Sequence, residues 1–312
     1  MDMYQKRKIR AEKREIDSQE SSSPQVSVSW FPGHMTKTKR KITADLKLVD
    51  AVAEIIDARV PMSSRNPDIA KLVQSKPLIV LLNKCDMADP TATAKWIEYF
   101  KNQGIVAIPV DCKTGRGLNK FIPTVKEVLA DKITAWQQKG MKNRSIRVMV
   151  VGIPNVGKSS FINCMSRQSK AKTADKPGVT RGNQWFTIAK GFEILDTPGV
   201  LWPKFDDKTV GERLAFTGAI KDQIIDTEQL SYRLLEYLNR VARSEFYERF
   251  KSQRSDFEDK NGAEMLQIIG KKRGMLISGG EVDTDRASIM VIDEFRAAKL
   301  GRITLELPTD YN

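Results

Sequence analysis

The chain has 312 residues, 40% of them hydrophobic, with 52 Lys and Arg against 39 Asp and Glu, a formal charge of +13. That length supplies two ordinary cores, while its longest apolar runs, PLIVLLN and IRVMVVG, are far shorter than the ~20 residues of a bilayer span, so no membrane partner is expected and the chain reads as soluble. Cys85, Cys112 and Cys164 are odd in number and far apart, which excludes a disulfide framework or a zinc site and fits reduced thiols.

Residues 1–28 are polar, end in DSQESSSPQ and read as a flexible N-terminal extension. They lack the apolar stretch of a secretory signal and are too acidic for a transit peptide, so a cytoplasmic protein is expected, with a mitochondrial one as the alternative. Met35, Ile42, Leu46 and Val49 then share one helical stripe, with Lys37, Arg40 and Lys41 elsewhere around it, predicting a basic helix that leads into the first core strand. The strand-like runs AVAEIID, PLIVLLN, IVAIPVD and IRVMVVG each precede a helical stretch, the third near Leu118 to Leu129 and the fourth starting at Lys158. Such alternation predicts an α/β fold, a mostly parallel sheet with helices on both faces. After about residue 205 the period becomes helical, with Leu230, Leu234, Leu238 and Val241 on one stripe and Ile289, Ile292 and Phe295 on another. The expected division is an extension over 1–28, an α/β domain over 29–204 and a smaller, mostly helical domain over 205–312.

The positive charge is unevenly placed. Residues 34–47 carry five basic residues against one acid, residues 120–147 seven against two, and residues 165–191 six against one. One such run is ordinarily a solvated face, but three in a basic protein point to a polyanion such as RNA.

GIPNVGKSS matches the phosphate-binding pattern GxxxxGK[ST] directly after a strand and before a helix. In Asn155, Val156, Gly157, Lys158, Ser159 and Ser160 the backbone N–H groups face phosphates, Lys158 reaches the β and γ phosphates, and the Ser159 hydroxyl ligates Mg²⁺. Downstream, ILDTPG ends an apolar strand in Asp196, placed to support Mg²⁺, and offers the Gly199 N–H to the γ-phosphate. Between them, KPGVTRG supplies Thr180 as the switch hydroxyl for the same ion. The base is read by LLNKCD: guanine presents two donors on one edge, and the Asp86 carboxylate accepts both, whereas adenine would leave it unpaired. Asn83 contacts the base and braces the loop, and the Lys84 stem lies over the ring. VDCKTG is the second base loop, with Asp111, Cys112 and Lys113 where Ser-Ala-Lys is usual.

In ordinary GTPases the phosphate motifs precede the base motifs; here the order is reversed, so the domain is a circularly permuted P-loop GTPase. With WFPGHM in front, DARVP and RNPDI next, and a helical C-terminal region, the chain resembles the ribosome biogenesis GTPase A family (RbgA/YlqF) over about residues 28–310. The resemblance implies a particle-stimulated GTPase that binds GTP and GDP, the large ribosomal subunit precursor and its rRNA, and times a late maturation step, with residues 205–312 as the helical C-terminal domain that binds RNA and the ribosome. It also implies that His34, the histidine of WFPGHM, positions the attacking water, because Val200 stands where small GTPases have glutamine. For Asn155 it implies a K⁺ ligand, where the residue alone would equally read as a turn stabiliser. A GTP-gated RNA-binding placeholder with incidental hydrolysis is the alternative.

Overall fold

The computed structural model describes residues 40–73, 75–141, 144–170, 184–199, 207–220, 222, 225–241 and 244–311. Its strands are β1 Ala51–Asp57, β2 Leu78–Asn83, β3 Val106–Pro109, β4 Ile146–Val151, β5 Trp185–Ala189 and β6 Phe192–Asp196. They form one sheet in the order β3-β2-β1-β4-β6-β5. All neighbours are parallel except β5, which pairs antiparallel with β6. The sequence reading did not include β5; it is an edge strand joined to β6 through Lys190 and Gly191, and Gly191 has the positive φ of +72° that so tight a reversal favours.

Every residue of β1 is buried, as expected of a strand covered on both faces. Ala51, Ala53 and Ile55 face one core with Phe121 and Phe161. Val52 faces the other side with Ile42, Leu46 and Ile69, and Ile56 packs there with Trp96. The first face is covered by α3 Phe121–Val128, α4 Ala130–Gln138 and α5 Lys158–Lys170. Over the second lie residues 40–46, α1 Pro67–Val73 and α2 Pro90–Asn102. The helix at 40–46 stops at Leu46, so Val49 is buried from the turn before β1 rather than from a helical stripe.

Beyond the sheet come α6 Lys208–Phe216, α7 Thr227–Val241, α8 Ser244–Arg249, α9 Gly262–Lys272 and α10 Thr284–Arg296. Leu230, Leu234 and Leu238 are buried, but Val241 at the helix end is exposed. On α10 the buried face runs through Ala287, Ser288, Val291, Ile292 and Phe295, and Ile289 points outward at 54% exposure. Its neighbours at i−1 and i+2 face the core, so position 289 falls on the far side of the barrel. Helix α6 belongs to both cores, Leu214 packing with the sheet and Phe216 with the helices.

The connections leave β1 toward β2 on one side and bring β4 back on the other. The strand order therefore reverses beside β1, and a crevice at the carboxyl ends of β2, β1, β4 and β6 is where an open α/β sheet binds its ligand.

Candidate nucleotide-binding site

At the base end, Asn83 closes β2 with its side chain almost wholly buried. Its Nδ2 donates to the Val156 carbonyl at 2.6 Å and its Oδ1 accepts from the Cys112 N–H at 2.9 Å. One amide thus ties together LLNKCD, VDCKTG and the P-loop. Gly157 makes this approach possible: at φ +106° a Cβ there would stand 2.3 Å from Asn83 Nδ2.

Lys84 has φ 60°, and its Nζ lies 2.9 Å from Asp57 Oδ2 at the end of β1. Asp57 also accepts from the backbone N–H, Nε and Nη2 of Arg59. Burial opposes ionisation of Asp57, yet Arg59 and then Lys84 hold its carboxyl well below the usual carboxylate range. Asp86 Oδ1 is buried with no hydrogen-bond partner among the described groups. A buried acceptor without a donor is costly unless a ligand supplies one, and a guanine edge carries two.

Asp111 accepts from Lys113 N–H, Thr114 N–H and Thr114 Oγ1. These bonds outweigh the effect of burial and lower its pKa. The carboxylate therefore shapes its own turn, which accounts physically for an aspartate in the usual serine position. Cys112 presents its N–H to Asn83, while burial pushes its thiol far above the ordinary range; Lys113 is exposed.

At the phosphate end the P-loop joins β4 to α5. Gly152 lets it leave β4 against the neighbouring strand, since a Cβ there would lie 2.5 Å from the Ile55 carbonyl. Lys158 Nζ donates to the carbonyls of Gly152 at 3.0 Å and Ile153 at 2.8 Å. Burial pushes its pKa down to about 8, with Asp196 pulling the other way. Gly199 of ILDTPG lies against this loop: a Cβ on it would be 2.7 Å from Lys158 Nζ and 3.0 Å from Pro154 N. Burial raises the pKa of Asp196, opposed by Lys158, the Thr197 N–H and Lys41. Helix 40–46 therefore presents a cation to the carboxylate that the sequence assigns to the metal. Ser159 and Ser160 open α5 and are exposed. Asn155, at φ 62°, donates from Nδ2 to the Gly218 carbonyl at 2.8 Å, linking the P-loop to the turn after α6. His34, Thr180 and Val200 lie outside the described residues.

A family model described as 50S ribosome-binding GTPase matches residues 147–261. The match starts inside β4 and takes in the P-loop and ILDTPG, leaving the base motifs upstream, as the permuted order requires. Ribosome biogenesis GTPase A of Bacillus pumilus is 46% identical over 285 residues, covering 91% of this chain and 99% of that protein. The chain belongs to the ribosome biogenesis GTPase A family. A GDP-bound YlqF structure superposes with a TM-score of 0.63 at 30% identity, over 87% of this chain and all of that one. The GNP-bound YlqF of T. maritima does so with 0.60 at 31%, over 87% and 98%. Membership makes the protein a GTPase, with the phosphate and base motifs gathered at one crevice.

Two sets of residues in the site were not assigned by sequence reasoning. Asp57 and Arg59 of DARVP carried only resemblance, although an acid ending a buried strand two residues before an arginine is a signal for a buried pair. The other set is the C-terminal segment. Arg302 donates to the carbonyls of Cys85 at 2.7 Å and Ala88 at 3.0 Å, Ile303 N–H to Met87, and Thr304 Oγ1 accepts from Asp89 N–H. Leu305 N–H donates to the Arg59 carbonyl. The alternation in Arg-Ile-Thr-Leu-Glu-Leu could have marked an extended segment, but not its partner.

Proposed function

We propose that this GTPase is a cytoplasmic assembly factor that binds the large ribosomal subunit precursor and its rRNA, and couples GTP hydrolysis to a late maturation step. The observation that carries the nucleotide part is Asn83, which draws base loop, second base loop and P-loop onto one amide beside the unpartnered Asp86 oxygen. Asp86 accepts the two guanine donors, and the Lys84 stem, held from behind by Asp57, covers the ring. Lys158 exchanges the carbonyls of Gly152 and Ile153 for phosphate oxygens, and the Gly199 N–H meets the γ-phosphate. Ser159, Thr180 and Asp196 offer the hard oxygen donors, few in number, that suit Mg²⁺; the ion would neutralise charge on the β and γ phosphates. Asn155, its Nδ2 engaged with Gly218, keeps an amide oxygen for K⁺.

His34 stands seven residues before Lys41, within about 25 Å of it along the chain, and Lys41 acts on Asp196. A neutral imidazole there accepts a hydrogen bond from the attacking water, the task Val200 cannot perform. The second reading, a GTP-gated RNA-binding placeholder, is favoured by Val200 itself.

GTP turnover measured with and without large-subunit precursor particles separates the two. Strong stimulation, reduced by roughly 10² to 10⁴-fold in His34→Ala with GDP affinity unchanged, is expected. Turnover indifferent to particles would leave the placeholder; stimulation intact in His34→Ala would return His34 to an RNA-contacting turn.

A further inference from the structure

The end of the sheet opposite the nucleotide carries a charge cluster that the site above does not use. Asp50 precedes β1, and Lys132 Nζ and Arg144 Nη2 both reach its Oδ1, at 3.0 and 3.1 Å. Its other oxygen accepts the Arg147 N–H. Lys76 donates to the Val49 carbonyl one residue away. Burial, Lys132 and Arg144 all press its pKa down, with Asp50 alone opposing. Two cations thus pair with one carboxylate, and a third stands beside it within reach of its charge.

The cluster also has flat and apolar surface. The Arg144 guanidinium lies 4.0 Å from the centroid of the Trp136 ring, and Lys132 Nζ lies 5.4 Å from it. Lys132, Trp136 and Lys139 follow one another at helical spacing along α4 and beyond its end. Leu48 and Met141, each beside this cluster in sequence, are exposed. Cations that outnumber acids, a guanidinium stacked on an aromatic ring and exposed apolar edges are the features with which proteins meet RNA phosphates and sugars.

We propose that the surface formed by Lys76, Lys132, Arg144 and Lys139 at the amino-terminal end of the sheet is an RNA-docking face. It rests on the RNA-binding reading above and adds its location. The seven residues of β1 place it about 23 Å from Asp57 and the base loop, so RNA bound there leaves the nucleotide contacts untouched.

The test uses the full chain and two probes, protein-free large-subunit rRNA and precursor particles, titrated across a salt series. Lys132→Gln with Arg144→Gln removes two charges while leaving amide donors for Asp50. RNA affinity is expected to fall about tenfold and the slope of log affinity against log salt to flatten by about 1.5, with GDP affinity unchanged. Lys47→Gln with Lys139→Gln, both exposed and adjoining the cluster, decides the matter should the first pair fail to fold. Lys95→Gln with Lys101→Gln, both exposed on α2, is the control.

If the wild-type protein shows steep salt dependence and the α4-side variants match it, the face is wrong while the RNA reading stands. Equal losses in the control overturn it too, as generic charge. A wild-type protein that does not bind RNA removes the broader reading and this face with it. Loss of particle affinity with rRNA affinity intact would identify a protein partner instead, against the proposal.

Discussion

The two ends of the nucleotide site are built differently. The base loop, residues 83–89, is held from three sides: by Asn83 to the P-loop and second base loop, by the Lys84 pair with Asp57, and by Arg302, Ile303 and Thr304 from the end of the chain. At the phosphate end Lys158 instead bonds to carbonyls of its own loop, with Gly199 pressed against it. The base end is organised before a base arrives, so binding there costs little reorganisation. The phosphate end has to exchange partners. On the proposed assignment recognition and response are separated: guanine would meet a loop already braced, whereas phosphates would have to displace the carbonyl contacts of Lys158.

The largest effect is expected at the fixed end. Asp86→Asn puts a donor where guanine also donates and should weaken GDP binding by about 10 to 100-fold while strengthening xanthine nucleotides. Titrating both nucleotide families against the variant checks this; an unchanged preference for guanine would mean that the loop is fixed for some other purpose.

A smaller effect is expected from loosening the same loop at a distance from the base. Arg302→Ala deletes two charge-assisted hydrogen bonds to the Cys85 and Ala88 carbonyls and touches no nucleotide contact named above. GDP affinity should drop about tenfold, seen mainly as faster dissociation in stopped-flow release. Were release unaltered, the C-terminal segment would pack on the loop without organising it.

The smallest effect belongs to the exchangeable end and depends on pH. Lys158 has its pKa depressed to about 8 by burial, so the free protein loses this proton as pH rises through 8, and phosphate binding restores it. Below about pH 7 GDP affinity should be flat; between pH 7 and 8.5 it should fall by about fourfold, with net proton uptake on binding. Calorimetry in buffers of different ionisation enthalpy measures the uptake. Flat affinity through pH 9 would show that the carbonyl contacts keep Lys158 fully charged.

Buried polar contacts also clasp the two cores together. Glu306 is buried and accepts from Ser63 N–H and Oγ, Arg213 and the Tyr311 hydroxyl. Arg296 donates to the carbonyls of Ala215 and Phe216 and pairs with Asp222, while its own carbonyl accepts from Arg59. Through Arg59 and Asp57 on one side, and Gly218 and Asn155 on the other, the end of α10 touches both ends of the nucleotide site.

Much of this protein follows from local pattern. Mostly apolar runs mark β1, β2 and β4, because a strand buried on both faces needs apolar residues at nearly every position; Glu54 of β1 is buried in an ion pair with Arg65, and Arg147 of β4 is exposed. GIPNVGKSS and LLNKCD carry their chemistry in adjacent residues, so their roles are legible without a fold, and their reversed order alone reveals the permutation. What the sequence could not determine are contacts between residues far apart in the chain. Asn83 meeting Val156, Lys84 paired with Asp57, Arg302 on the base loop and Asn155 on Gly218 leave no periodic trace. The same holds for the outward turn of Ile289 and for Asp111 serving its own loop. Hydrophobic period specifies which face of an element is buried, but a hydrogen bond between distant segments depends on where packing brings their ends, and only the tertiary structure decides that.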